Sequence, residues 1–272
     1  MQPEYAMLNA SLNDSEFASF QQMIFRIAGI SMSPAKKALV AGRLAKRLKQ
    51  HGLDSYEDYF KLLSTHREEM QVAVDLLTTN ETYFFREPKH FDFLRDHILP
   101  KHPPGRTFRV WSAACSSGEE PYTLAMLLAD RLGDTPWEVF GSDISTLVLE
   151  KAKKGLYPME RARGIPPALL RTHCLKGVGS QEGQLLIDPA LRRRVQLAQI
   201  NLNEPLPEVG EFDVIFLRNV MIYFQSETKR QVVARLLAKL RPGGIFIVGH
   251  SESLNGLAQG LETLAPSIYR KP

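Results

Sequence analysis

The stretch FRVWSAACSSGEEPYTL, residues 108–124, constrains the fold more than any other. Val110 and Trp111 read as a buried strand. The small residues Ser112 to Gly118 follow, and the spacing predicts a helix from Tyr122 to Leu132, with Pro121 as its first residue. Strand, tight small-residue loop and helix form the entry to an α/β nucleotide-binding unit. The loop has a single glycine, so it is not GxGxxG, and it lacks the GK[ST] of a phosphate-gripping loop. Glu119 and Glu120 at the helix start would repel a pyrophosphate but suit a cationic or hydroxyl-rich ligand.

A second strand, Trp137 to Gly141, is followed by Asp143, where doubly wound folds place an acid that bonds ribose hydroxyls. A nucleoside without phosphates and with a positive charge describes S-adenosylmethionine. These two features alone also fit an ordinary α/β crossover with solvated acids at its rim. Later, EFDVIFLR (211–218) reads as a buried strand delivering Arg218 and Asn219 to its C-terminal end, where open α/β sheets bind ligands.

The chain has 272 residues, 44% of them hydrophobic, enough for one large or two small domains. A formal net charge of +4 favours an acidic partner without requiring one. Cys115 and Cys174 match no metal spacing and suit a reduced, cytoplasmic protein. No basic-then-apolar leader opens the sequence, and no run is long enough to cross a membrane. Residues 1–78 read as an all-helical domain. Its helices start at Asp14 or Ser15, at Ser33-Pro34, at Asp54 or Ser55, and near Glu68. The second holds Lys36, Lys37, Arg43, Lys46, Arg47 and Lys49 and no acid, with Val40, Leu44 and Leu48 facing the core. Lys36, Arg43, Lys46 and Arg47 fit either a solvated basic face or a docking surface for an acidic protein. Aromatics do not interleave with these charges, which counts against single-stranded nucleic acid.

Residues 79–93 read as a linker contributing to the ligand site. In it Arg86 is placed to bind a carboxylate with a forked hydrogen bond. Residues 94–272 form the second domain, with a small β subdomain inserted at about 157–200, where Gly177, Gly179 and Gly183 supply turns. A strand from Ile245 to Gly249 and a last strand within Leu264–Arg270 close the chain. His250 reads as a structural histidine near a strand end, and no metal site is visible.

TTNETYFFREPKHF, VWSAACSSGEEPYTLA, GSDIS, FLRNVMIYF and the final GHSESL, taken in this order, resemble the CheR-type chemotaxis receptor methyltransferases. The resemblance spans nearly the whole chain. It implies a class I S-adenosylmethionine-dependent methyltransferase sheet with an inserted antiparallel subdomain, preceded by an all-α module. It implies methyl transfer to glutamate side chains of chemoreceptors, giving 5-O-methyl esters and S-adenosylhomocysteine. Carried over by resemblance, Asn80, Thr82, Arg86, Ala113, Glu119, Glu120, Asp143, Arg218 and Asn219 contact the cofactor, with Glu119 favoured over Glu120. Asn201 and Leu202 would frame the adenine, and Arg86 and Tyr223 would serve the transfer itself. The implied partners are cytoplasmic receptor domains and, in some members, a receptor C-terminal pentapeptide on the β subdomain. Two other readings stay open: a methyltransferase acting on another acidic protein or on nucleic acid, and a non-catalytic cofactor-binding sensor. Neither Pro-Pro pair, at 103–104 or 166–167, sits in the Asn/Asp-Pro-Pro-aromatic motif of amino-methylating nucleic-acid enzymes.

Overall fold

The computed structural model describes residues 11–133 and 135–272. The chain divides into two compact units between Thr79 and Asn80.

The first unit is helical. Helix α1 (Asp14–Ala28) is capped by Asn13 in a reciprocal box with Glu16, just ahead of the expected Asp14 or Ser15, and ends at Gly29. Pro34–Lys36 makes a 3-10 turn that leads into α2 (Lys37–His51), and Gly52 stops it in the left-handed region. Ser55 caps α3 (Tyr56–Thr65), and α4 (Arg67–Leu77) follows. Phe17, Phe20 and Ile24 are buried with Val40, Leu44, Leu48, Tyr59 and Leu63, as the helical spacing of these residues requires.

One charged hub lies inside this unit. Glu69, on α4, is buried and accepts from Arg47 through two nitrogens and from Tyr59 Oη at 2.6 Å. His51 Nε2 stands 3.0 Å away. Burial alone would raise the Glu69 carboxyl, but hydrogen bonds from Arg47, Tyr59 and His51 bring it down to about 2. Arg43 donates to the carbonyls of Leu76 and Thr78 at 3.0 Å each. The basic stripe of α2 is therefore not one surface. Arg43 and Arg47 turn inward to tie α2 to α4 and the residues after it, whereas Lys36 and Lys46 remain exposed.

The second unit opens with α5 (Lys89–Phe93), which widens into a π turn through Ile98. Then come β1 (Phe108–Ser112), α6 (Glu119–Leu132), β2 (Trp137–Asp143) and α7 (Thr146–Lys154). Helix α6 starts at Glu119 rather than Tyr122. Gly118 is its cap and Pro121 its third residue, a place where a missing N–H still costs no helical bond. After β3 (Leu156–Pro158), α8 (Pro167–His173), β4 (Cys174–Lys176), β5 (Gln184–Ile187) and α9 (Pro189–Arg192) comes β6 (Val195–Gln199). The chain ends with β7 (Phe212–Leu217), α10 (Ser226–Ala238), β8 (Leu240–Val248), β9 (Glu262–Ala265) and β10 (Ile268–Arg270).

Seven strands form the main sheet in the order β6-β2-β1-β7-β8-β10-β9. The pairs from β6 to β8 are parallel, and β10 is antiparallel to both β8 and β9. Every residue of β7 is buried, as befits the inner position of a parallel sheet. A second antiparallel sheet has the order β3-β5-β4. The insertion is shorter than the expected 157–200, because Val195–Gln199 pairs in parallel with β2 and belongs to the main sheet. Strand β8 begins at Leu240 rather than Ile245, and the expected single last strand is two, β9 and β10.

Candidate active site

The expected ligand residues converge where β1, β2 and β7 end. Sheet order reverses at this point: the chain moves outward from β1 to β2, then returns to β7 on the other side, so the loops part and leave a crevice. The loop after β1 is held to both neighbouring strands. Ala113 N–H donates to Phe216 O at 2.8 Å, and Cys115 N–H to Ser142 O at 2.9 Å. Gly118 then turns the chain at φ 96°, and a Cβ there would stand 2.8 Å from both Ala152 Cβ and Tyr157 Oη.

Asp143 closes β2. One carboxylate oxygen accepts from Ser116 N at 2.9 Å and the other from Ser145 N at 3.0 Å. Two backbone N–H groups thus aim the acid. Ser116 Oγ donates to Asn80 O at 2.8 Å, which brings the start of the unit onto the same loop. Ile200 N donates to Asp143 O at 3.1 Å, and this places Asn201 and the buried Leu202 next along the rim.

The two glutamates of α6 have different partners. Glu119 is fully buried, accepting from Ser117 Oγ and from Arg161 at 2.6 Å each. Arg161 also donates to Thr82 O at 3.1 Å. Glu120 accepts from Ser112 Oγ and from Arg218 at 2.7 Å each. Arg218, at the end of β7, is held on its other side by Glu87 at 3.0 Å and by the carbonyl of Arg86. Asn219, at φ 57°, donates its side-chain amide to Glu87 at 3.0 Å. Its own N–H goes to Glu252, which also accepts from Gly249 and Ile222. Tyr223 follows in the 3-10 turn Met221–Tyr223, half-buried. The Arg86 guanidinium donates to Glu81 O at 2.7 Å and lies 5.8 Å from the centre of the Tyr83 ring.

Burial would raise the Glu87 carboxyl. The Asn219 amide, the Arg218 charge and hydrogen bond, and the His250 backbone N–H together hold it down at about 2. Neither Glu87 nor Glu252 emerges from sequence reasoning, since a glutamate between Arg86 and Pro88 has no periodicity or spacing to mark it. Arg161 is missed for the same reason: the inserted segment that carries it gives no signal of where it folds back. Among the described residues, five that are not glycine have positive φ: Phe85, Glu87, Ser116, Asn219 and Ser267. The first four lie in the segments just described, and such strain gathers at functional sites. The structure also groups Glu87 with His90 and His250, three potential metal ligands that sequence spacing does not pair.

The crevice and its approaches hold the carboxylates Glu87, Glu119, Glu120, Asp143 and Glu252 against the guanidinium groups Arg86, Arg161 and Arg218. The surplus is negative and suits a cationic ligand over a phosphate. An acid held by backbone at the end of β2 fits a ribose diol. A mostly parallel sheet with an antiparallel end, carrying such a site, defines a class I S-adenosylmethionine-dependent methyltransferase. Residues 80–269 match the family described as "CheR methyltransferase, SAM binding domain", and residues 15–78 match "CheR methyltransferase, all-alpha domain". A "Chemotaxis protein methyltransferase" of Escherichia coli is 40% identical over 95% of this chain and 91% of its own length. The protein of that name from Salmonella typhimurium is 39% identical over the same shares. "Chemotaxis protein methyltransferase 2" of Pseudomonas aeruginosa is 40% identical over 93% of this chain and 92% of its own. The chain belongs to the CheR methyltransferase family. Among the described residues no helix is long and apolar enough to cross a membrane.

Proposed function

We propose that the protein esterifies glutamate side chains on the cytoplasmic signalling domains of chemoreceptors, and works in the cytoplasm. The observation that carries this reading is the backbone-held Asp143 at the end of β2, together with the acid-rich start of α6 after β1. S-adenosylmethionine supplies a methyl group made electrophilic by its sulfonium. Asp143 binds the ribose, Asn201 and Leu202 border the adenine, and Ala113 forms the floor. Asn80, Thr82, Arg86, Glu119, Glu120, Arg218 and Asn219 hold the amino-acid end. Of the two glutamates, Glu119 stays the preferred contact.

The acceptor needs no general base. A glutamate carboxylate has a reference pKa of about 4.3 and is already ionised at neutral pH. Its oxygen forms the new bond to the methyl carbon, the carbon–sulfur bond breaks, and the electron pair stays on sulfur, so no proton moves. Arg86 and Tyr223 orient the attacking carboxylate. Arg218 is poorly placed to quench that nucleophile, because Glu87 and Glu120 already neutralise it. Positioning therefore supplies most of the rate.

Receptor recognition involves two surfaces in this reading. Lys36, in the turn before α2, and Lys46, on α2, are both exposed and meet acidic receptor surface, while Arg43 and Arg47 serve the fold. Strand β4 is an edge strand of the small sheet, with Leu175 exposed on it and Val178 just beyond, and it takes a receptor C-terminal peptide by strand addition. The deciding experiment incubates the protein with methyl-labelled S-adenosylmethionine and receptor cytoplasmic fragments, then treats the product with base. Label released as methanol supports the ester. Base-stable label, or none on any receptor, rejects it.

A further inference from the structure

His90 is almost entirely buried, and its two ring nitrogens can be told apart. Nε2 lies 2.9 Å from Ser267 Oγ. The single hydroxyl proton of Ser267 goes to the Pro266 carbonyl at 2.6 Å, so Oγ must accept and Nε2 must carry the hydrogen. Nδ1 is then a bare lone pair. It is buried and meets no hydrogen-bond donor of the protein.

What faces it is a second lone-pair atom, Glu87 Oε2, at 3.5 Å. Oε2 already accepts from Arg218 at 3.0 Å and from the His250 N–H at 3.1 Å, so the unmet acceptor of the pair is His90 Nδ1, and a buried lone pair without a partner costs free energy. His250 completes a triangle. Glu87, His90 and His250 each offer one ligand atom, all within 4.8 Å of one another. The His250 side chain is exposed, so its ring can reorient.

These distances fit a transition metal. With zinc–nitrogen and zinc–oxygen bonds of about 2.0–2.2 Å, two ligands on a tetrahedral ion stand about 3.4 Å apart. The His90–Glu87 separation of 3.5 Å is already that edge. Two imidazoles and one carboxylate favour zinc-like ions over magnesium or calcium. Charge permits it as well. Glu87, Glu120 and Glu252 surround Arg218 and Asn219, three carboxylates to one guanidinium, leaving a surplus that a divalent cation would cancel. Arg218 opposes the ion, because it donates to the same Glu87 Oε2 at 3.0 Å, but it shares its charge with Glu120.

The geometry points to a binding site for a zinc-class divalent cation at His90 Nδ1, Glu87 and His250, with a fourth position left for water. Such an ion would join the Glu87–His90 turn to the turn after β8. Its presence does not depend on which substrate is methylated.

The test uses the full chain after chelator treatment, titrated with cobalt(II), whose visible absorption reports tetrahedral nitrogen and oxygen coordination, and with zinc by calorimetry. One saturable equivalent is expected, with zinc displacing cobalt. Removing a direct ligand by His250→Ala, at an exposed position, lowers affinity by more than about 100-fold, beyond the usual cost of losing an outer-shell partner. His90→Gln does the same, and Cys174→Ser changes nothing. No saturable binding, binding that survives His250→Ala, or binding lost in Cys174→Ser would each overturn the site.

Discussion

Arg218→Met isolates the main electrostatic joint of the crevice. The Arg218 side chain is 1% exposed, 3.0 Å from Glu87 and 2.7 Å from Glu120. Methionine keeps the apolar stem beside Phe91 and removes the charge. Two partly buried carboxylates are left without their counter-ion, a change that costs about 3–5 kcal/mol. The pKa of Glu87 gives an independent scale. Its fall from 4.5 to about 2 corresponds to about 3 kcal/mol of stabilisation at neutral pH, shared among Arg218, Asn219 and the His250 N–H. A loss of about 3 kcal/mol would lower the melting temperature by about 6–12 °C for a unit of this size. The pH dependence has a definite sign. The folded pKa lies below the unfolded one, so the Glu87 contribution is fully present above about 4.5 and fades as pH falls toward 2. At pH 3 it has dropped to about 1 kcal/mol. Urea unfolding of both proteins at pH 7 and pH 3 should show a wide gap that narrows in acid. A gap under about 1 kcal/mol at pH 7, or one equally wide at pH 3, would refute this account of Arg218.

Other substitutions separate binding, docking and folding. Asp143→Ala should weaken S-adenosylmethionine binding by about 1–3 kcal/mol in calorimetry, and unchanged affinity would remove its ribose role. Lys36→Glu with Lys46→Glu should slow receptor methylation and leave cofactor affinity alone; equal methylation rates would show that these lysines are only solvated. Arg47→Met strands the buried Glu69 and should destabilise the helical unit by about 3 kcal/mol, read from its own unfolding transition. A stable variant that had lost receptor methylation instead would return Arg47 to the docking surface.

The sequence carried the local and periodic parts of this fold. The buried positions of α2 follow from helical spacing alone, and the all-buried β7 from its short, largely apolar run. The small-residue turn after β1 and the acid after β2 mark the crevice because that chemistry is confined to short stretches. Long-range choices were not legible. Whether Val195–Gln199 pairs inside the insertion or with β2 depends on partners far along the chain, and the strand itself looks the same either way. The basic stripe of α2 misled for a similar reason. Helical spacing shows that Arg47 and Lys36 share a side, but only Glu69, 22 residues on, reveals that one of them points inward. Glu87 and Glu252 stayed hidden because their role is to hold Arg218 and Asn219, and that pairing exists only once β7 and β8 lie side by side.

The five left-handed residues also bear on how this protein can change. For residues with a side chain, that conformation costs about 1–2 kcal/mol each, a sum comparable with the net stability of a whole domain. Glycine at Phe85, Glu87 or Asn219 would relieve the backbone while deleting the ring, the carboxylate or the amide that needs the turn. A search that rewards heat resistance alone would drift toward such replacements and produce sturdier proteins with a slack crevice. Selection for turnover would keep the costly turns, and the fold would have to recover that energy in the buried sheet, away from the rim.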